Sequence, residues 1–396
     1  MKKVLFPRVR FKGFDEEWKE DTVRNIANIT NGKSNTSDNN KWGQYNLYIR
    51  SEEIYKSNKY IFDVEGVITV GDGNIGKIFH YVNGKFDLHQ RCYLIYEFQN
   101  IWPKYFYYYF SQNFYKRAIL MSYTATVNSI RMNTITDMDI MFPKELIEQQ
   151  KIAKLLDQIS NLISLEEIKL NKLKQLKETL LQKMFPEGNS KKPRIRFRGF
   201  EGEWEEEKLE EIGQTYTGLS GKTKKDFGHG NSRYITYLNI FNNPIANLKG
   251  LDRIEEDCKQ NSVKYGDIFV TTSSEIREEV GMTSIWPFKG KENIYLNSFC
   301  FGIRLNNINN YDINFLAYNL RNNELRKDIV LLAQGISRFN ISNRRFMKLN
   351  ILLPNFSEQQ KIGDFFSKID SLLSLYQSKL NKLKQIKESL LQKMFL

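Results

Sequence analysis

Glu148–Phe185 reads EQQKIAKLLDQISNLISLEEIKLNKLKQLKETLLQKMF, and Glu358–Phe395 reads EQQKIGDFFSKIDSLLSLYQSKLNKLKQIKESLLQKMF. The two stretches align without a gap at an offset of 210 residues, and 24 of their 38 positions are identical. Two helices that share only a composition would not match so closely, so the chain carries a duplication. In the first copy Ile152, Leu155, Leu156, Ile159, Leu162, Ile163, Leu170, Leu173, Leu176, Leu180, Leu181 and Met184 recur at steps of three and four. That spacing draws an apolar stripe along one face of a helix. The second copy keeps it at Ile362, Phe365, Phe366, Ile369, Leu372, Leu373, Leu380, Leu383, Ile386, Leu390, Leu391 and Met394. Pro186 stops the first helix. At about 1.5 Å per residue each helix is a rod of roughly 54 Å. A stripe of this length either packs on its own globular part or pairs with its twin as a coiled coil, and the repeat favours the twin. The coiled-coil positions expected are Ile152, Leu156, Ile159, Ile163, Leu170, Leu173 and Leu180, with Ile362, Phe366, Ile369, Leu373, Leu380, Leu383 and Leu390 opposite.

The repeat reaches beyond the helices. Arg8-Val-Arg-Phe-Lys-Gly-Phe14, followed by Trp18, returns as Arg194-Ile-Arg-Phe-Arg-Gly-Phe200, followed by Trp204. Each half is therefore a lead-in segment, a globular part and a helix, and the globular parts barely match. Matched ends around an unmatched middle describe a shared scaffold with different surfaces, as in two readers of different targets. One active and one decayed domain would give the same pattern. The divisions read as 1–145, helix 146–185, linker 186–193, 194–355 and helix 356–396. The linker from Glu187 to Pro193 spans at most about 25 Å extended, so the second half begins near the far end of the first rod. The helices should then run antiparallel.

Hydrophobic residues make up 41% of the 396, which is globular and not disordered. The formal charge is +13, with the excess spread over both halves, and so fits an anionic partner. Cys92, Cys258 and Cys300 are few, scattered and odd in number, which suits a reducing cytoplasm. No apolar run is long enough to span a membrane, and MKKVLFPRVRFKGF lacks the core of a signal peptide. A cytoplasmic protein is expected.

In the first globular part, Trp18–Ile29 reads as a short helix or strand. Strands follow at Tyr45–Arg50, Gly66–Val70, His80–Phe86, Cys92–Tyr96 and Ile140–Pro143. Trp102–Met121 reads as a helix whose aromatic run, Tyr105–Phe110, belongs to the core. A polar turn passes through Thr126, Asn128, Arg131 and Asn133. In the second part the strands are Tyr234–Ile240, Asp267–Thr271, Ile294–Phe299, Phe301–Leu305 and one ending at Pro354, with a helix over Asn314–Leu332. Many short strands with few helices make each half α+β.

Catalytic motifs are poorly supported. Gly71-Asp-Gly-Asn-Ile-Gly76 has dinucleotide-loop spacing, but strand and not helix should follow, so a tight turn with close backbone approach is the better reading. Gly221-Lys-Thr223 lacks the upstream glycine of a phosphate loop, since Tyr216 stands there. His80, His89 and His229 make no metal spacing with the cysteines. Asn242-Asn-Pro-Ile lacks the aromatic that an amino-methyltransferase would stack on its base, and Asp267 with Glu275 makes a weak nuclease pattern.

Loops of Lys, Arg, Asn, Ser and Thr recur at the same two places in both halves. Such side chains suit phosphate contacts and bidentate base contacts. The DNA-binding candidates are Lys33, Ser34, Asn35, Thr36, Gly73, Asn74, Asn128, Arg131 and Asn133 in the first half. In the second they are Lys222, Thr223, Lys224, Lys225, Ser273, Ser274, Arg277, Arg338, Asn340, Asn343, Arg344 and Arg345.

With RxRFxGFxxxW before each variable part and EQQKI…LLQKMF after it, the chain resembles the specificity subunit of a type I restriction–modification system. The resemblance covers nearly the whole chain. It implies two target-recognition domains, each reading one half of a bipartite, asymmetric site in double-stranded DNA. It implies an antiparallel coiled coil of pseudo-two-fold symmetry that spaces the domains and docks two methyltransferase subunits. Restriction and translocation subunits would join through the complex. This chain would then be no enzyme and bind no cofactor, with S-adenosylmethionine, ATP and magnesium on its partners. The loop Gly218–Asn231 resembles a recurrent recognition-domain type. A stand-alone two-headed DNA-binding regulator, or a catalytic subunit of unrecognised type, are the alternatives.

Overall fold

The computed structural model describes residues 6–124, 128–290 and 293–395. Thr126, in the polar turn of the first half, lies outside them. The chain forms two compact units, Met1–Ile168 with Ser378–Leu396, and Lys169–Gln377. Both long helices contribute to both units.

The first unit is built on a six-stranded sheet. Its spatial order is Asn28–Asn31, Cys92–Tyr96, Phe62–Val70, Phe79–Leu88, Tyr45–Tyr48, Ile54–Ser57. All neighbours are antiparallel except Tyr45–Tyr48 beside Phe79–Leu88. The central strands carry the β-branched residues Val67, Ile68 and Val70, all fully buried. Helix Pro103–Leu120 starts with proline in its first turn, where no amide partner is lost. Its Tyr105, Phe106, Tyr108, Tyr109 and Phe110 are buried in the core, as the sequence suggested. Several elements escaped the sequence reading, two of them telling. Ile54–Ser57 is an edge strand too polar to stand out, and Met132–Thr136 makes a short helix inside the expected polar turn. Gly71–Gly76 leads into the strand Phe79–Leu88 and not into a helix. A Cβ at Gly76 would lie 2.9 Å from both Ala118 Cβ and Tyr115 Cα, so the close approach is to the unit's own helix.

The second unit has a four-stranded sheet in the order Gly213–Thr217, Cys300–Leu305, Ile268–Thr271, Thr283–Ile285. A three-stranded sheet has Phe227–Ile235 between Leu251–Ile254 and Ile294–Leu296. The strand expected over Tyr234–Ile240 stops at Ile235, because Thr236 caps a helix, Tyr237–Asn242, by accepting from the Asn239 amide. The helix expected over Asn314–Leu332 is two, Ile313–Asn319 and Asn323–Leu331. Asn322 restarts it, its Oδ1 accepting from Leu325 N at 2.9 Å.

The long helices are Leu146–Lys183 and Phe356–Met394. In the first unit Ile152 and Leu156 share a core with Leu390, Leu391, Met394 and Phe395. In the second, Ile362 and Phe366 share a core with Leu180, Leu181, Met184 and Phe185. The start of each helix thus meets the end of the other, which makes the pair antiparallel. These apolar contacts in one unit are those of the other shifted by the repeat offset, whereas the ion pairs between the helices are not. Lys379–Glu166 and Lys384–Glu167 tie the helices in the first unit, and Lys177–Asp370 in the second. The two expectations for the stripe are both partly met, because Ile152 and Leu156 also pack against the first unit's Trp18 and Phe106. Leu162, Leu176, Leu372 and Ile386 depart from the expected buried stripe, for all four are exposed.

The lead-in segments explain why the repeat has matched ends. Arg10 donates from Nε and Nη2 to the two carboxylate oxygens of Glu148 at 2.7 and 2.8 Å, and Arg196 does the same to Glu358 at 2.7 Å each. One residue earlier, the Val9 amide donates to Lys393 O and the Ile195 amide to Lys183 O, both at 2.9 Å. Each lead-in therefore joins the start of one helix to the end of the other. Behind it, Lys19–Thr22 pairs with Asp139–Phe142, and Glu205–Lys208 with Asn350–Leu353.

Candidate nucleic-acid interface

In each unit, loops from distant parts of the chain meet. The first unit gathers the loop after Asn31, the segment after Tyr48, the Gly71–Gly76 turn, the turn after Leu88 and the residues around Asn128. The amide of Gly73 donates to Asn128 O at 2.9 Å, and that of Ile130 to Gly71 O at 2.9 Å. The Gln90 amide donates to Ser34 O at 2.8 Å, and its side chain to Asn35 Oδ1 at 2.5 Å. Asn35, Thr36, Gly73, Asn74 and Asn128 are thus brought into one polar rim, with Lys33 and Arg131 exposed beside them and Asn133 exposed on the short helix Met132–Thr136. Ser34 is placed differently. It is buried, and its hydroxyl donates to Asp87 at 2.6 Å, beside that of Ser57 at 2.8 Å.

The first polar loops of the two units share a frame despite their different sequences. Thr36–Asp38 and Lys224–Asp226 are single 3-10 turns. The amide of Asn35 donates to Asp38 at 2.7 Å, and that of Thr223 to Asp226 at 2.6 Å. These amides hold both carboxyls below the usual range, with Lys59 also lowering Asp38 and Lys222 also lowering Asp226. The same turn presents Thr36 and Ser37 in one unit, and Lys224 and Lys225 in the other, all exposed. Lys222 turns back, its ammonium 2.8 Å from Asp257, which that contact helps to hold at a pKa of about 2.

The second unit's other loops meet where Ser273–Ser274 pairs with Phe339–Asn340. Arg338 donates from Nη2 to Ser273 Oγ at 3.2 Å and lies 5.5 Å from the centre of the Phe299 ring. Beside it opens a cleft of about 410 Å³ lined by Tyr237, Phe241, Ser274, Ile276, Phe299 and Arg338 among others. Ser273 itself is buried, and its carbonyl accepts from the Tyr237 hydroxyl at 2.8 Å. Ser274 is half-buried, and its Oγ accepts from the Ile276 amide at 3.1 Å. Arg277, Asn340, Asn343, Arg344 and Arg345 are exposed on neighbouring segments. Arg321 underpins the helix Tyr237–Asn242 by donating to the carbonyls of Ile240, Phe241 and Asn243, and burial lowers its pKa to about 9.

The sequence reading missed Arg50, and the adjacent Gln90 and Arg91, in the first unit, since they lie between the ends of separate strands. Only pairing of the strands makes them neighbours. Among the described residues, no group of three His, Cys, Asp or Glu is placed to hold a metal ion. No described helix is long and apolar enough to cross a membrane.

Two units with one scaffold and unlike loop surfaces make this an internally duplicated α+β protein. The model of the type I restriction modification DNA specificity domain matches this chain twice, over residues 15–175 and 201–385, and the chain belongs to that family. It is 25% identical over 224 residues to the MjaX specificity subunit assigned to a type I restriction enzyme of Methanocaldococcus jannaschii. It is 28% identical over 162 residues to the EcoDI type I specificity subunit of Escherichia coli. These matches take in 54% and 40% of this chain, and span only 50% and 35% of those relatives' lengths. The fold is that of the type I restriction–modification S subunit from M. genitalium, at a TM-score of 0.67 and 15% identity, covering 99% of both chains.

Proposed function

We propose that the chain is the sequence-recognition subunit of a type I restriction–modification complex. Each unit's loops read one half of a bipartite, asymmetric site in double-stranded DNA. The carrying observation is that the same lead-in clamp, Arg10–Glu148 in one unit and Arg196–Glu358 in the other, recurs in two units whose loops are unlike. Base-edge contacts are assigned to exposed residues such as Arg338, Asn340, Asn35 and Asn128, and phosphate contacts to Lys33, Lys224 and Lys225. Ser34, Ser273 and Lys222 instead shape the loops, because their polar atoms are engaged inside the unit.

The paired helices would set the spacing and dock two methyltransferase subunits. Leu162, Leu165 and Ile386 in the first unit, and their repeat equivalents Leu372, Leu375 and Leu176 in the second, are between 41% and 64% exposed. Large apolar residues left in water at matched positions fit one partner surface used twice. Methyl transfer from S-adenosylmethionine, and ATP- and magnesium-dependent cleavage, would belong to those partners and to the restriction subunits. Mapping methylated adenines genome-wide, with and without this chain, tests the reading. A two-part motif methylated only in its presence is expected. Identical methylation in both strains would remove the reading.

A further inference from the structure

The Asp72 side chain is 9% exposed and receives two arginines that lie 41 residues apart in sequence. Arg50 donates from Nη1 to its two carboxylate oxygens at 3.1 and 3.2 Å, and Arg91 Nη1 lies 3.4 Å from Oδ2. Yet the arginine side chains are 45% and 63% exposed. Two cations share this one anion, so the triad itself carries a net positive charge.

The backbone around them is fixed. Gly71 N donates to Arg91 O at 2.8 Å, and Arg91 N to His89 Nδ1 at 3.0 Å. The Arg50 segment is held by the imidazole of His80, whose Nε2 is 3.0 Å from Ser51 O. Gln90, next to Arg91, reaches Asn35 on the capped turn, and Gly73, next to Asp72, reaches Asn128. The pair therefore sits in the middle of the first unit's polar rim.

We infer that Arg50 and Arg91, oriented by Asp72, read guanine in one half of the DNA site. The inference rests on the DNA-recognition reading above. A guanidinium carries five N–H donors in a rigid fork. Asp72 engages Nη1 of each, which anchors the guanidinium and leaves Nε and Nη2 as donors at the surface. Guanine O6 and N7 are two acceptors side by side on one major-groove edge, and a donor fork matches them better than any other base edge. Asp72 is a positioning residue in this scheme and the arginines are the contacting ones.

The test is the methylated motif recovered from cells carrying the full chain, Arg50→Lys, Arg91→Lys or Asp72→Asn. Lysine keeps the charge for phosphate and loses the fork. Each arginine variant should lose about tenfold or more of its preference for a guanine in one half-site, with the other half-site unchanged. Asp72→Asn should relax the same guanine positions. The parental motif returned by both lysine variants overturns the inference, as does a parental motif with no G·C pair in that half-site. Either result leaves DNA recognition standing. That reading fails separately, if the parental chain directs no sequence-specific methylation.

Discussion

Arg10→Ala would leave the Glu148 carboxylate, which is 1% exposed, without its partner. Breaking a buried pair from one side costs about 3–5 kcal/mol. The lower end is expected here, because Arg10 keeps some contact with water. Denaturant unfolding should show that loss for Arg10→Ala, and at least as large a one for Arg196→Ala, whose Nη1 also donates to Gly202 O; no change in either would mean the clamps carry no stability. Contacts with DNA should separate by chemistry. Arg338→Ala or Asn340→Ala should relax one half-site by about 1–3 kcal/mol of discrimination. Lys224→Ala should weaken binding to every sequence and lower the salt slope by about one. Equal losses for all sequences from both kinds of variant would undo the assignment. At this scale the sequence was informative where composition decides and silent where pairing decides. Polar, basic loops were visible. That Ser34 turns inward to Asp87, or that Lys222 turns back to Asp257, depends on carboxylates far along the chain. A capping signature, Asn35-x-x-Asp38 and Thr223-x-x-Asp226, was present and would have revealed the common turn.

Among elements, the helices were the most legible part of the chain. Their repeat, their stripes and the short linker gave an antiparallel pair, and the shared cores of Ile152 with Met394 and of Ile362 with Met184 are that pair. The buried stripe is narrower than the spacing implies. Leu162, Leu176, Leu372 and Ile386 satisfy the helical spacing but lie on the outward face, since periodicity gives a face and not what covers it. The LLQKMF ends are identical, and Met394 and Phe395 fill in the first unit the place that Met184 and Phe185 fill in the second. A half-chain of residues 1–186 should therefore dimerise, each copy supplying its own Leu180–Phe185 to the other's core. Sedimentation should show a folded dimer that binds a palindrome of one half-site. Only monomeric or unfolded material would contradict equivalence of the two ends. Cysteines placed at Ile152 and Met394 of the full chain should crosslink readily.

For the whole molecule, the claim is that two readers are held on one scaffold and that the helices set the distance between their half-sites. Four residues added to a helix lengthen it by about 6 Å, close to two base pairs at about 3.4 Å each. Four residues are also near one turn, so the apolar face returns almost to register. The insertions belong in both helices, between Glu167 and Leu170 and between Gln377 and Leu380, so that the stripes stay matched. The decisive measurement is the methylated motif in cells carrying this doubly lengthened chain. The account predicts both half-sites unchanged and a spacer longer by about one or two base pairs. An altered half-site with the parental spacer would contradict it.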